Sequence, residues 1–308
     1  PSVFRDIRHY VVLVSDVPTY ADSLATLSKS RPLLAQALVL AERRRTERLA
    51  AYLDGARLRG LEQLFAYLEA AVAAYAEIPS LSGIGFLIER VHADYKTALE
   101  ATLSGYQGVA ADAMRDVMEI ECLLMDFAAN RGNSDEWLHS DEKLRKRKYV
   151  PVRVRERLQE CGVEPFSNDD FEPIDYKAHS ESLHVNPGQR LSTRGPDPLD
   201  EPFPLYGDFG FMEMFEHGDR ILLAIELLRI IALGVPDGYE PIGPRDKFND
   251  AHARTHQNQV MMFGFVEGPS VLRERLGREP TAAELLGYVK DEITSKSRPF
   301  GPKAEGSN

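Results

Sequence analysis

Apolar residues recur at helical spacing along most of this chain. Leu34, Leu38 and Leu40 lead into a stretch rich in Ala, Arg, Glu and Leu. Leu61, Leu64, Tyr67, Leu68, Ala71 and Tyr75 continue at i, i+3, i+4 intervals until Pro79 interrupts them. Ser82 is the expected N-cap of the next helix, whose stripe is Ile84, Leu87, Ile88, Val91, Tyr95 and Leu99. After a turn at Gly105 and Gly108, a helix over about 109–129 presents Met114, Val117, Leu124 and Ala128 on one face. Asn130-Arg131-Gly132-Asn133 supplies residues that tolerate the left-handed conformation and is expected to end it. A short amphipathic helix is expected through Trp137 and Leu144, and another from Pro151 to Cys161.

The pattern then loosens. Ile174–Leu183 reads as a short helix, and residues 186–207 as a long loop carrying Pro187, Pro196, Pro198, Pro202 and Pro204. A strong helix follows over about 208–233, stopped by Gly234 and Pro236. Two or three helices come next. The clearest opens at Pro280-Thr281-Ala282-Ala283-Glu284, where Thr281 and Glu284 have the spacing of a capping box. Alternation of strand type is confined to Tyr10–Val14, read as a buried extended arm. The expectation is an all-α helical bundle with a loop-rich C-terminal half. It divides into an N-terminal arm (1–30), a main bundle (31–234), C-terminal helices packed on it (235–296) and a disordered tail (297–308).

Charge refines this reading. The net charge of −11 argues against a surface that is a nucleic-acid platform throughout. Yet residues 143–157 hold eight basic residues against one acid, Glu156, a local charge of +7. Lys143, Arg145, Lys146, Arg147, Lys148 and Arg153 are therefore candidate phosphate-binding residues, and RNA is a candidate partner through this window. The bland alternative is a solvated helix face. Cys122 and Cys161 lack metal-ligand spacing, and no apolar segment is long enough to span a bilayer. A cytoplasmic protein with reduced thiols is expected, with no membrane contact and no cofactor.

Several polar groups fall among the apolar positions. Glu121 lies four residues after Val117 and three before Leu124, beside the apolar stripe. A carboxylate there needs a basic partner on a neighbouring helix, or else serves as a ligand or general base. Arg115 and Glu119, four apart, can pair along one face. Arg131 and His139 together can hold a phosphate and move a proton, the pairing a ribonuclease uses. Glu-x-x-His occurs at Glu89/His92, Glu136/His139 and Glu181/His184. Two such pairs with additional Glu residues build carboxylate-bridged di-metal bundles, so Glu89, His92, Glu121, Glu181 and His184 form an alternative metal set. Asp169-Asp170 lacks the repeated aspartates of a prenyl-diphosphate site. Phosphate-cradling loops, nucleophile elbows and paired CxxC motifs are missing too.

Residues 80–234 resemble a group of uncharacterised helical bacterial proteins distantly associated with the HEPN and abortive-infection class. The resemblance rests on Ala113-Met114-Arg115-Asp116-Val117-Met118-Glu119, the helix at Trp137, the basic stretch, and Tyr176-x3-Ser180-x3-His184. It implies an all-α bundle and a role in a bacterial defence or toxin-type system. HEPN ribonucleases place four to six residues between their Arg and His; Arg131 and His139 have seven between them. Arg115, Glu119, Glu121, Arg131, His139 and His184 are thus the candidate catalytic groups. The leading expectation is a helical protein that acts by binding a protein partner or a second copy. A metal-independent ribonuclease and a di-metal protein are the alternatives.

Overall fold

The computed structural model describes residues 18–53, 55–162, 206–234, 239–281 and 283–288, without the side chains of 206–209, 257–268 and 270. The expected arm at Tyr10–Val14, the helix at Ile174–Leu183, most of the proline-bearing loop and the tail lie outside the described residues, as do Glu181 and His184.

The protein is all-α. Helix α1 spans Tyr20–Ser30 and α2 Pro32–Tyr52; α3 is Ala56–Ala76, α4 Gly85–Ser104 and α5 Gln107–Ala129. Three short helices follow: α6 (Asn133–Leu138), α7 (Glu142–Lys148) and α8 (Pro151–Glu160). Two long ones, α9 (Tyr206–Leu233) and α10 (Asp246–Leu276), complete the bundle. Helix α3 packs on α4, α4 on α5, α5 on α9, α9 on α10 and α10 back on α3, a closed round of five helices. The short links α3–α4 and α4–α5 make antiparallel neighbours. Helix α8 lies on α5, while α2 touches the bundle chiefly through α4.

The apolar stripes read from the sequence become the core. Leu61, Leu64, Leu68, Ile88, Val91, Met114, Val117 and Leu124 are buried, joined by Phe211, Phe215, Ile221 and Ile225 of α9. Three tyrosine hydroxyls fix α9 against its neighbours. Tyr75 donates to Ile225 O (2.8 Å), Tyr95 to Met214 O (3.1 Å) and Tyr67 to the Glu226 carboxylate (2.5 Å). Burying a tyrosine ring requires such a partner for its hydroxyl. Close helix approach rests on glycine: a Cβ at Gly60 would stand 2.5 Å from Ala251 Cβ, and one at Gly218 2.7 Å from the Phe248 ring. Gly105 ends α4 with a φ of 86°, and its amide and that of Tyr106 close on the last carbonyls of the helix.

Local details depart from expectation. Ser82 lies in a 3-10 turn, Ser82–Ile84, with its hydroxyl donating to Pro79 O, so α4 starts at Gly85. Asn130 and Gly132 keep negative φ values: the Asn130 amide still reaches Asp126 O, and a tight turn closed by the Asn133 amide on Asn130 O leads into α6. Trp137 and Leu144 sit on two helices: Asp141 caps α7 by accepting from the Leu144 amide (2.7 Å), which interrupts the run at His139–Asp141. Residues 20–30 of the expected arm form α1, capped by Thr19. The Thr281/Glu284 capping box forms as expected: the Thr281 amide donates to Glu284 (2.8 Å), and the Glu284 amide to Thr281 Oγ1 (3.3 Å).

Candidate functional site

Helices α5 and α9 meet over a stripe of polar groups inside the apolar core. Glu121 is 2% exposed on α5, and His217 is 1% exposed on α9. On α9, Glu213, His217 and Arg220 recur at i, i+4 and i+7, so one face carries all three. Arg220 Nε stands 3.6 Å from Glu121, and its Nη2 lies 2.8 Å from His217 Nδ1. His217 Nε2 lies 3.5 Å from Glu213. These distances fix the tautomer. A guanidinium has only donors, so Nδ1 accepts and the ring proton sits on Nε2, facing Glu213. The imidazole is thereby neutral, held between a cation and a carboxylate.

A second cluster fixes α6, α7 and α8 to α5. Asp126 is fully buried and accepts two bonds from Arg157, at 3.0 and 2.8 Å, and one from Asn133 Nδ2 at 2.9 Å. A bidentate, charge-assisted pair of this kind is among the stronger polar contacts. Lys148 then bridges Asn133 Oδ1 (3.0 Å) and Glu136 (2.8 Å), which raises the Lys148 pKa and lowers that of Glu136. The Tyr149 hydroxyl donates to Asn133 O at 3.2 Å.

A third cluster lies at the outer edge of α4 and α5. Arg90 forms a two-point pair with Asp116, and Arg115 sits 3.2 Å from Glu119, as their spacing predicts. Burial raises the Glu119 pKa, and Arg115 draws it back. Asp94 is pushed up to about 7 by burial and by the Asp116 carboxyl beside it.

The candidates from the sequence therefore separate. Glu121 finds the basic partner on a neighbouring helix that its position demands. Arg131 reaches across to Ile231 O (2.9 Å) and serves the C-terminus of α9. His139 is exposed, and its Nδ1 donates to Asp135 O of its own helix at 2.8 Å. These two side chains share no partner. In the basic window, Arg145 bonds Ser140 O, Lys146 pairs with Glu142, Arg153 with Glu156, and Lys148 belongs to the Asp126 cluster. Lys143 and Arg147 are exposed. His92 packs edge-on against Phe65 at 5.3 Å, and burial lowers its pKa; Glu89 of the same Glu-x-x-His is exposed. Among the described residues no three His, Cys, Asp or Glu side chains gather to hold a metal ion, and no helix is long and apolar enough to cross a membrane.

Sequence reasoning missed Glu213, His217 and Arg220, although their i, i+4, i+7 spacing beside Phe211, Phe215 and Ile221 carried the signal. It also missed Asp126, whose position in an apolar stretch matches that of Glu121.

A different anomaly lies on α1 and α2. Pro32–Ala41 is ten residues of helix without a charge. Leu33 is 80% exposed, Leu34 58%, and Leu38 and Val39 45% each. In α1 no residue is buried, and Tyr20 is 51% exposed. The exposed apolar residues of the other helices are more scattered, as is normal for a protein surface.

No family model matches this chain, and neither does any curated protein or solved structure.

Proposed function

We propose that this chain is a helical interaction module whose docking element is the α1–α2 hairpin and whose partner is a protein presenting an apolar helical face. The observation that carries this reading is the charge-free run Pro32–Ala41. Gln36 apart, the run is apolar all round, and such a helix is one to be buried on all sides, whereas this one is covered only in part. The interior groups fit the same reading. His217 has a partner at each ring nitrogen, and Asp126 spends its carboxylate on Arg157 and Asn133. Their geometry is that of a polar skeleton orienting α5, α8 and α9, and proton transfer to a substrate would first have to break it.

The test is a photoreactive residue in place of Leu34 or Leu38, introduced in the cells that make the protein. The expected product is a covalent adduct to a protein, identified by mass, that disappears when Leu33 and Val39 are changed to Glu. Labelling by solvent alone at both positions overturns the reading.

A further inference from the structure

His252 and His256 stand four residues apart in α10 and so project from one face of the helix. Each is half-buried, flanked in sequence by the buried Ala251 and Thr255 and the exposed Ala253 and Arg254. Their rings meet edge to face with centroids 6.5 Å apart, and Phe248, one turn before, lies 6.2 Å from His252. No ring nitrogen of either forms a hydrogen bond or an ion pair among the described residues. The other described histidines differ. His217 is engaged at both nitrogens, His139 at Nδ1, and His92 packs on Phe65. A polar ring withdrawn from water ordinarily finds a partner. Here two such rings share a face and leave their nitrogens without one.

We propose that His252 and His256 chelate a divalent transition-metal ion of the zinc, copper and nickel class, with water completing the coordination and Asp219 of α9 supplying the opposing charge. The site is independent of the hairpin, and with two protein ligands it is open, so the ion exchanges with solution.

Distance supports the chelate. An imidazole nitrogen sits about 2.0 Å from such an ion, which puts its ring centroid about 3.1 Å away. Two rings on one ion then stand about 5 Å apart at a tetrahedral angle and about 6 Å apart in line. The pair stands at 6.5 Å, so turns about the side-chain torsions close the gap while the backbone of α10 stays in place. Two histidines at this spacing on one helix face serve zinc in hydrolases, where a glutamate follows the first of them. Ala253 stands there instead, so this pair binds an ion without supplying a general base. Imidazole also selects zinc, copper or nickel over magnesium and calcium, which take oxygen donors. Charge points the same way. Burial lowers the His252 pKa, and the Asp219 carboxylate, near enough to act on the ring, raises it. Arg245 holds Asp219 loosely, at 3.4 Å, which leaves the carboxylate able to turn to a cation. Arg254, between the two histidines in sequence, is tied to Asp250 at 3.0 Å. The net charge of −11 favours a cation over an anion throughout.

Isothermal titration of Zn2+ into the full chain, stripped beforehand with a chelator, tests the proposal. One equivalent is expected to bind. His252→Ala and His256→Ala are each expected to weaken binding at least about tenfold, and Asp219→Asn by less. A wild-type chain with no saturable binding at about 0.1 mM Zn2+ overturns the site. So does either histidine variant that binds as the wild type does, because the ion is then held elsewhere. Mg2+ bound as tightly as Zn2+ assigns the ion to carboxylates and overturns it too. A second measurement needs no variant and so does not depend on how one folds. Diethyl pyrocarbonate labels accessible imidazoles, and mass spectrometry reads the label at each histidine. Zn2+ is expected to protect His252 and His256 and to leave the exposed His139 labelled as before. Labelling of His252 and His256 that Zn2+ does not change overturns the proposal.

Discussion

The α5–α9 interface and the α1–α2 hairpin break the usual partition of polar and apolar groups in opposite directions. In the interface, charged groups lie where a core would be apolar. On the hairpin, leucines lie where a surface would be charged. The difference is in how each anomaly is resolved. Glu121 meets Arg220, Arg220 meets His217, His217 meets Glu213, and Asp126 meets Arg157 and Asn133, all within one chain. Leu33, Leu34, Leu38 and Val39 face solvent. A burial anomaly that the chain resolves by itself is evidence about folding. One that it leaves open is evidence about assembly.

The most severe way to break this comparison is to remove an interior partner. Asp126→Ala leaves the Arg157 guanidinium and the Asn133 amide facing a buried site without their acceptor. The expected cost is about 3–5 kcal/mol, because the lost carboxylate strands a partly buried cation. Urea denaturation measures it. A loss of less than about 1 kcal/mol would mean that the cluster is not what holds α8 on α5.

The Glu121–Arg220 pair sharpens the point at smaller scale. Glu121→Gln and Arg220→Met are each expected to cost roughly 1–3 kcal/mol, since each removes an opposite charge from beside the other. The two together should cost less than their sum, because neither charge then remains without the other. Strict additivity in the double-mutant cycle would show that 3.6 Å is too far for these groups to act as a pair.

Much of this was legible in the sequence, and the illegible part has a physical cause. The helices and their buried faces follow from a period of 3.6, which is local. Glu121 was recognisable as a buried carboxylate from Val117 and Leu124 alone. Its partner was not, because Arg220 lies ninety-nine residues further on and only the docking of α9 against α5 brings them together. Arg131 and His139 bond different groups for the same reason in reverse: closeness in sequence says nothing about which way two side chains turn after a helix ends. The charge-free run was visible throughout as Leu34, Leu38 and Leu40, but a run of leucines on a helix reads as core. Only the packing of α2 shows that its N-terminal half extends beyond what the bundle covers.

Asp94 tests a place where matching is incomplete. Its carboxyl is partly exposed, with the Asp116 carboxyl beside it and Arg90 one turn away, and Arg90 already holds Asp116. Burial and the Asp116 carboxyl raise its pKa, and the Arg90 guanidinium lowers it. The folded pKa of about 7 stands above the ordinary value of 3.8. Below the ordinary value both states hold the proton, and Asp94 contributes no pH dependence. Between that value and about 7 the unfolded chain gives up the proton while the folded chain keeps it, so stability falls as pH rises. Above that range the loss is complete and the dependence is flat. Because solvent screens this site, the expected loss is no more than about 1 kcal/mol. Asp94→Asn should remove the slope and leave the variant more stable than the parent at pH values above the window. An unchanged slope would assign the pH dependence to other groups.

The smallest expected effect on folding is the one that separates the two regions most cleanly. Leu34→Glu with Leu38→Glu places two charges on a surface that solvent already reaches. The unfolding free energy of the isolated chain should change by no more than about 0.5 kcal/mol, the usual range for exposed positions. Glu is as good a helix former as Leu, so α2 keeps its helical content. Docking, by contrast, should be abolished, because each charge would have to be buried against the apolar face of the partner without a counter-charge. The two measurements therefore move independently: denaturation stays where it was, and the protein adduct captured through a photoreactive residue at Leu33 is lost. If instead the double variant unfolds by several kcal/mol, these leucines are packed within the chain and the hairpin belongs with the core.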